Sequence, residues 1–139
     1  MNHLPVPQLA ALPEQEALAL LGSVTAGSLL RPAKGLPAVR VLGHLLDDRR
    51  LIVRVRVLQG RPGRHDYPAR LTYLTEQIDA ETLTGWIVIA TGPAEQITDP
   101  AEQARYRVPM RAWPDDRNEH LLRMRPDLVS GHRLTRDHR

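Results

Sequence analysis

Short segments of alternating polar and apolar residues dominate the middle of the chain, between residues 36 and 92. In residues 51–58 every odd position is apolar, whereas Arg54 and Arg56 stand at even positions. A period of two places successive side chains on opposite faces of a strand, so we expect one core face and one partly wet face here. Similar patterns predict further strands at residues 23–30, 36–46, 69–77, from 86 onward, 120–125 and 131–134.

Two short helices are predicted beside these strands. Residues 13–22 begin with a proline and two carboxylates in the first turn and end at a glycine, which predicts a helix of about ten residues. Further along, Asp99 can cap the free amides of a second helix, and Pro100 suits its first position. That helix should end before Pro109, because proline cannot continue the hydrogen-bond ladder.

The order of these elements predicts a mainly β protein. Turn-forming residues at 32–35 predict a hairpin between the first two strands. Strands flanked by helices in this order fit an antiparallel barrel with two peripheral helices better than a parallel sheet. We expect one domain over residues 1–139, with an N-terminal arm at 1–12 and a C-terminal tail at 135–139 that frays.

Composition narrows the classes of function. The chain has no cysteine, which excludes a disulfide framework and a cysteine nucleophile and favours a reducing compartment. No run of about 18 apolar residues and no signal peptide is found, so we expect a cytoplasmic protein without a membrane partner. The six histidines are scattered without metal-ligand spacing, and no residue stands out as a catalytic acid or base.

A net charge of +3 raises the question of a nucleic-acid partner. The arginines alternate with Asp and Glu along the chain and do not form one basic block. The chain has no Phe, three Tyr and two Trp, which are too few for a platform on which bases stack. We therefore do not expect it to bind nucleic acid.

Arginines of the central strands are the first candidate binding residues. Arg54 and Arg56 project from one face of a strand, about 7 Å apart, so both could reach one phosphate. Arg40 could add charge from the neighbouring strand. The alternative is an ordinary solvated strand face, on which arginine alternates with valine.

The Gly- and Pro-rich segment at residues 59–68 is a second candidate. Arg61 and Arg64 stand there beside glycines, and guanidinium groups with exposed amides can cradle an anion. A plain turn-rich loop is the alternative. Trp113 precedes a proline in an irregular stretch and is a candidate pocket wall, with a core or interface filler as its alternative.

Six segments together resemble the pyridoxamine 5'-phosphate oxidase-like, FMN-binding split-barrel superfamily. The resemblance rests on Gly-Leu-Pro-Ala-Val-Arg, Leu-Ile-Val-Arg, Glu-Gln-Ile-Asp, Thr-Gly-Trp-Ile-Val, Gly-Pro-Ala-Glu-Gln-Ile-Thr-Asp and the closing strand, at residues 35–40, 51–54, 76–79, 84–88, 92–99 and 120–131. Their order and spacing extend the resemblance over residues 14–134. It implies an antiparallel split β-barrel of about six to seven strands.

The resemblance also implies a function. Proteins of this superfamily are typically homodimers with FMN at the subunit interface, so the chain would be an oxidoreductase that uses FMN or a deazaflavin on a small molecule. Arg54 would lie near the FMN phosphate. Arg40, Val41 and Leu42 would lie near the isoalloxazine ring.

Two departures from the family pattern leave a second hypothesis open. Val41, Leu42 and Gly43 stand where the family has Pro-Val-Asn. The family's Gly-Ser-Lys-Leu at a helix start is absent, and Arg61 or Arg64 would substitute for the lost lysine. The alternative is a split barrel that has lost flavin and serves as a non-catalytic binding or structural dimer, with another planar ligand such as haem.

Overall fold

An antiparallel sheet runs through most of the chain. A computed structural model describes residues 7–30, 39–58, 67–107, 109–110 and 119–136. Within these residues the chain forms eight strands and two helices: β1 (Pro7–Leu12), α1 (Glu14–Ser23), β2 (Ser28–Leu30), β3 (Val39–Asp47), β4 (Arg50–Val57), β5 (Arg70–Asp79), β6 (Thr84–Gln96), α2 (Pro100–Arg107), β7 (Glu119–Met124) and β8 (Leu128–Arg136). All strand pairs are antiparallel, which confirms the predicted mainly β fold with two peripheral helices.

Both helices lie close to where the sequence predicts them. α1 has ten residues and buries Ala17, Leu18 and Leu21 in the main core. α2 begins at the predicted proline and ends with basic residues in its last turn, which suits the negative end of the helix dipole. Neither of these described helices is long and apolar enough to cross a membrane.

Six strands close around the main core. β3 pairs with β4, β4 with β7, β6 with β5, and β5 with β2. β6 belongs to both halves of the sheet, because it pairs with β5 over residues 84–93 and with β7 over residues 94–96. The circle closes between β3 and the segment before β2, where the His44 amide donates to the Thr25 carbonyl at 3.0 Å. β8 and β1 extend the sheet from β6. The arrangement is that of a split barrel.

The predicted hairpin between the first two strands is wrong. The first of these strands begins only at Ser28, and it pairs with β5 instead of β3. Leu29 stands opposite Tyr73 and joins the main core beside it. The Ala26 carbonyl accepts a hydrogen bond from the Thr75 hydroxyl at 2.7 Å. Thr25 and Ala26 therefore bridge β3 and β5, and their carbonyls are not available for a hairpin ladder.

Parts of both predicted terminal segments pair within the sheet. β1 lies in the predicted N-terminal arm and pairs along its whole length with β8. Thr135 and Arg136, in the tail expected to fray, pair with Gln8 and Pro7. The prediction is wrong for these two residues because the partner strand satisfies their backbone groups. Residues 137–139 lie outside the described part of the chain.

A second, smaller core lies on the other side of β4. The odd-numbered residues of β4 face the main core, as predicted. Ile52, on the even face, packs with Ile97, Tyr106 and Leu121 beneath α2. The face predicted to be partly wet is therefore covered along the first half of the strand.

Candidate functional site

A β-bulge in β3 opens a cavity beside the barrel. Val41 pairs with Val55 and Gly43 pairs with Arg54, so Leu42 is the extra residue. Bulges bend a strand and redirect its side chains. The cavity has a volume of about 470 Å³, within the range of about 300–1,000 Å³ that is typical of small-molecule sites. Four segments of the chain line it: Thr25, Leu42, Gly43, His44, Leu45, Arg54, Pro109 and Met110.

Arg54 brings a buried charge to this cavity. Its side chain is only 3% exposed, and its Nη2 donates to Oε1 of Glu119 at 2.5 Å. The Glu119 side chain is itself 6% exposed. The alternative of a solvated strand face is therefore wrong for Arg54. Glu119 lies behind the cavity wall, in a small cleft that it shares with Gln103 and Arg107 of α2.

The other candidate residues divide between exposed and half-buried positions. Arg40 and Arg56 stand directly opposite each other on β3 and β4, and both are exposed. They lie near the cavity but do not line it. Val41 is half-buried and packs against the main core. Of the described candidates, the cavity thus brings together Leu42 and Arg54. Three candidates lie outside the described residues: Arg61, Arg64 and Trp113.

His44 lies on the cavity wall, but its ring is engaged inside the protein. Its Nε2 lies 2.9 Å from the Leu21 carbonyl, and its Nδ1 lies 2.6 Å from the Tyr73 hydroxyl. A carbonyl can only accept, so Nε2 carries the proton and the Tyr73 hydroxyl donates to Nδ1. Burial lowers the pKa of His44, against the raising effect of the Leu21 carbonyl, and burial raises the pKa of Tyr73. These two hydrogen bonds of His44 connect β3 with α1 and with β5 next to the bulge.

A second histidine is buried near the Arg54–Glu119 pair. His120 Nδ1 lies 2.8 Å from the Tyr67 hydroxyl. Burial raises the pKa of Tyr67 to about 12, so the hydroxyl keeps its proton at neutral pH. The contact fixes the residues before β5 against β7.

Sequence analysis did not identify several residues of this site. Glu119 is separated from Arg54 by 65 positions, and no local pattern connects the two. Thr25 and Met110 line the cavity only because the folded chain brings them next to it. His44 has no second ligand at metal spacing in the sequence, so the sequence gives no signal for it. Within the described residues, no group of three or more His, Asp or Glu could hold a metal ion.

Fold and cavity together define a split β-barrel protein with a candidate small-molecule site at the bulge of β3. The chain belongs to the pyridoxamine 5'-phosphate oxidase family, whose family model matches residues 13–133. It is 31% identical over 136 residues to the uncharacterized protein Rv0080 of Mycobacterium tuberculosis. That match covers 95% of this chain and 90% of the relative.

Solved structures share the same architecture. A FAD-binding protein from Mesorhizobium loti has a TM-score of 0.67 and 16% identity, over 94% of this chain and 99% of that one. A FAD-binding protein from Mycobacterium smegmatis has a TM-score of 0.61 and 20% identity, over 89% of this chain and 98% of that one. At these identities, the likeness establishes the fold.

Proposed function

We propose that this chain is a flavin-dependent oxidoreductase that acts as a homodimer on a small molecule in the cytoplasm. FMN is the first candidate cofactor and a deazaflavin is the second. Membership of the pyridoxamine 5'-phosphate oxidase family supports the proposal, as do solved neighbours that bind FAD. The observation that carries it is the meeting of Leu42 and Arg54 in one cavity.

The chemistry of the cavity lining fits a flavin. Leu42, Leu45 and Met110 offer apolar surface to a planar ring, and Arg54 offers a guanidinium to a phosphate. Gly43 has no side chain, so the backbone of β3 forms part of the cavity lining there.

A bound flavin supplies hydride or electron transfer. The residues of the chain bind and orient the cofactor and exclude water from it. Arg54 is held in place by its buried ion pair and attracts the phosphate end. Arg40 and Arg56 add exposed positive charge nearby, which favours the approach of an anionic ligand.

The haem alternative gains no support from His44. Among the described lining residues, His44 is the histidine that could reach a ligand in the cavity. Both of its ring nitrogens are hydrogen-bonded to protein groups, so no lone pair is directed at an iron atom. The flavin-free structural dimer is the competing outcome of the binding experiment below.

Leu42→Trp is expected to weaken FMN binding at least about tenfold, a loss of about 1.4 kcal/mol. The indole is expected to fill part of the cavity of about 470 Å³ that Leu42 lines. Equilibrium titration followed by flavin fluorescence measures the affinity. Glu81→Trp is the matched control, because Glu81 is exposed in the turn between β5 and β6.

Two results would contradict the proposal. Wild-type protein that binds neither FMN nor a deazaflavin would support the flavin-free barrel. Equal affinity in wild type and Leu42→Trp would place the flavin elsewhere.

An outer sheet face with an uncharged centre supports the proposed homodimer. Four of the six large hydrophobic side chains that are exposed in the described residues lie on the outer face of β1, β8, β6, β5 and β2: Leu9, Leu30, Ile78 and Leu128. At the centre of this face, Ile89 has Leu74, Ser130, Ile87 and Thr91 as its neighbours, and none of them is charged. Large apolar patches of this kind are typical of protein interfaces.

Ile89→Arg is expected to convert the dimer into a folded monomer. A guanidinium at the centre of an apolar interface would be desolvated without a partner, which costs several kcal/mol. Size-exclusion chromatography with light scattering measures the mass, and circular dichroism checks the fold. Glu81→Arg adds the same group in an exposed turn and should stay dimeric. A monomeric wild type, or a dimeric Ile89→Arg, would exclude this interface.

A further inference from the structure

We infer that His44 and Tyr73 are positioning residues of the flavin site: their hydrogen bond keeps His44 unprotonated and fixes the bulge of β3, and flavin binding requires this arrangement. The inference rests on the proposed flavin site and adds two residues to it. Both act indirectly, through the backbone that lines the cavity.

His44 follows the bulge directly, so the position of its ring fixes the backbone that lines the cavity. Leu42 and Gly43 precede it, and all three residues are part of the lining. The His44 amide donates to the Thr25 carbonyl at 3.0 Å, and Thr25 is another lining residue. A displacement of His44 would therefore disturb the bulge and the contact with Thr25 together.

The His44 ring depends on hydrogen bonds within the protein, because the residue is only 2% exposed. Its Nδ1 accepts from the Tyr73 hydroxyl at 2.6 Å, and its Nε2 donates to the Leu21 carbonyl at 2.9 Å. Tyr73 is fully buried, and a Cβ at Gly27 would overlap its hydroxyl group. The hydroxyl is thus confined beside Nδ1, where its own proton stands in the place that a proton on Nδ1 would need.

The groups that face His44 in the described part of the chain cannot balance a positive charge on its ring. Tyr73 approaches from β5, the Leu21 carbonyl from α1, and Val53 stands opposite on β4. The carboxylates of α1 lie in its first turn, whereas Leu21 lies near its end. Arg54 is the charged residue of the cavity lining, and its guanidinium would repel an imidazolium.

Loss of the Tyr73 hydroxyl would leave a buried acceptor without its donor, which is costly. A turn of the His44 ring toward the cavity that it lines would relieve this cost. Nδ1 could then take up a proton, because imidazole in water has a pKa of about 6.5. A flavin would have to reverse both changes on binding, so its affinity should fall, and it should fall further at low pH.

The test measures the FMN affinity of Tyr73→Phe and wild type by fluorescence titration at about pH 8 and about pH 5.5, on either side of the ordinary histidine pKa. At the higher pH we expect Tyr73→Phe to bind FMN at least about tenfold more weakly. The ratio of the two affinities should rise at least about threefold more at the lower pH. The FMN phosphate titrates near pH 6 in both proteins, so its effect cancels in this ratio.

Tyr67→Phe is the matched control. Tyr67 also has its hydroxyl against a histidine Nδ1, that of His120 at 2.8 Å, and neither of these described residues lines the cavity. We expect this variant to bind FMN within about threefold of wild type at both pH values. His44→Gln keeps a donor and an acceptor but cannot take up a proton. It should bind FMN at least about tenfold more tightly than His44→Leu, which has neither.

Each outcome supports or overturns the inference. Tyr73→Phe that binds FMN like wild type or like Tyr67→Phe would overturn it. A loss of affinity by the same factor at both pH values would also overturn it, because the hydroxyl would then have a structural role alone. Where circular dichroism shows that Tyr73→Phe does not fold, equal affinities of His44→Gln and His44→Leu would overturn it. These results leave the flavin site in place, whereas a wild type that binds no flavin would overturn the proposed function itself.

Discussion

Gly85→Ala is expected to destabilise the fold by about 4 kcal/mol, because backbone strain and overpacking each cost about 1–3 kcal/mol. Gly85, the second residue of β6, has a φ of +147°, a conformation that residues with a side chain rarely adopt. A Cβ at this position would overlap the Gln77 carbonyl oxygen and lie 2.9 Å from the Ile78 Cα. Both neighbours are backbone atoms of β5, so a change of rotamer cannot relieve the clash.

Thermal and denaturant unfolding of purified protein measure this effect. For a chain of this length, the loss corresponds to a fall in melting temperature of roughly 10 °C or more. Gly43→Ala is the matched control, because its Cβ would meet the Thr25 carbonyl oxygen at 3.5 Å, an ordinary contact. We expect that control to change stability by less than about 1 kcal/mol. A Gly85→Ala protein as stable as Gly43→Ala would mean that β5 and β6 are not paired in this register.

Local patterns predict the strands well where one face is buried and the other is exposed. The strands follow their alternating or apolar runs in β3, β4, β5 and β6. Between β3 and β4, Asp48 and Arg49 take the positive φ values of a tight hairpin turn. Pairing between distant strands is harder to predict. β2 joins β5 because Leu29 meets Tyr73 in the core, a contact that no local pattern contains.

Contacts between distant parts of the chain are also what local patterns fail to predict in the candidate site. Alternation placed Arg54 and Arg56 correctly on one face, and the family resemblance singled out Leu42. Alternation could not distinguish the buried Arg54 from the exposed Arg56, because the covering groups come from α2 and β7. The partner of Arg54, Glu119, follows from tertiary structure alone.

Replacing one residue of the buried Arg54–Glu119 ion pair is expected to have the second large effect on the stability of the fold. Arg54→Met would leave the Glu119 carboxylate buried without its partner, and loss of one partner in a buried ion pair costs about 3–5 kcal/mol. The double variant Arg54→Met/Glu119→Leu replaces both charges by apolar groups of similar size. We expect it to recover most of that loss, because neither charge then has to be desolvated. The double-mutant cycle also needs the single variant Glu119→Leu. Chemical denaturation of wild type, the two single variants and the double variant completes it.

Arg56→Met is the matched control on the same face of β4. Arg56 is exposed, so we expect a change of less than about 1 kcal/mol. An Arg54→Met protein as stable as this control would mean that water reaches Glu119 in solution. If the double variant folds as expected, it separates the contribution of Arg54 to stability from its contribution to ligand binding. A flavin site that uses Arg54 for the phosphate should then lose the contribution of that phosphate to binding while the barrel stays intact.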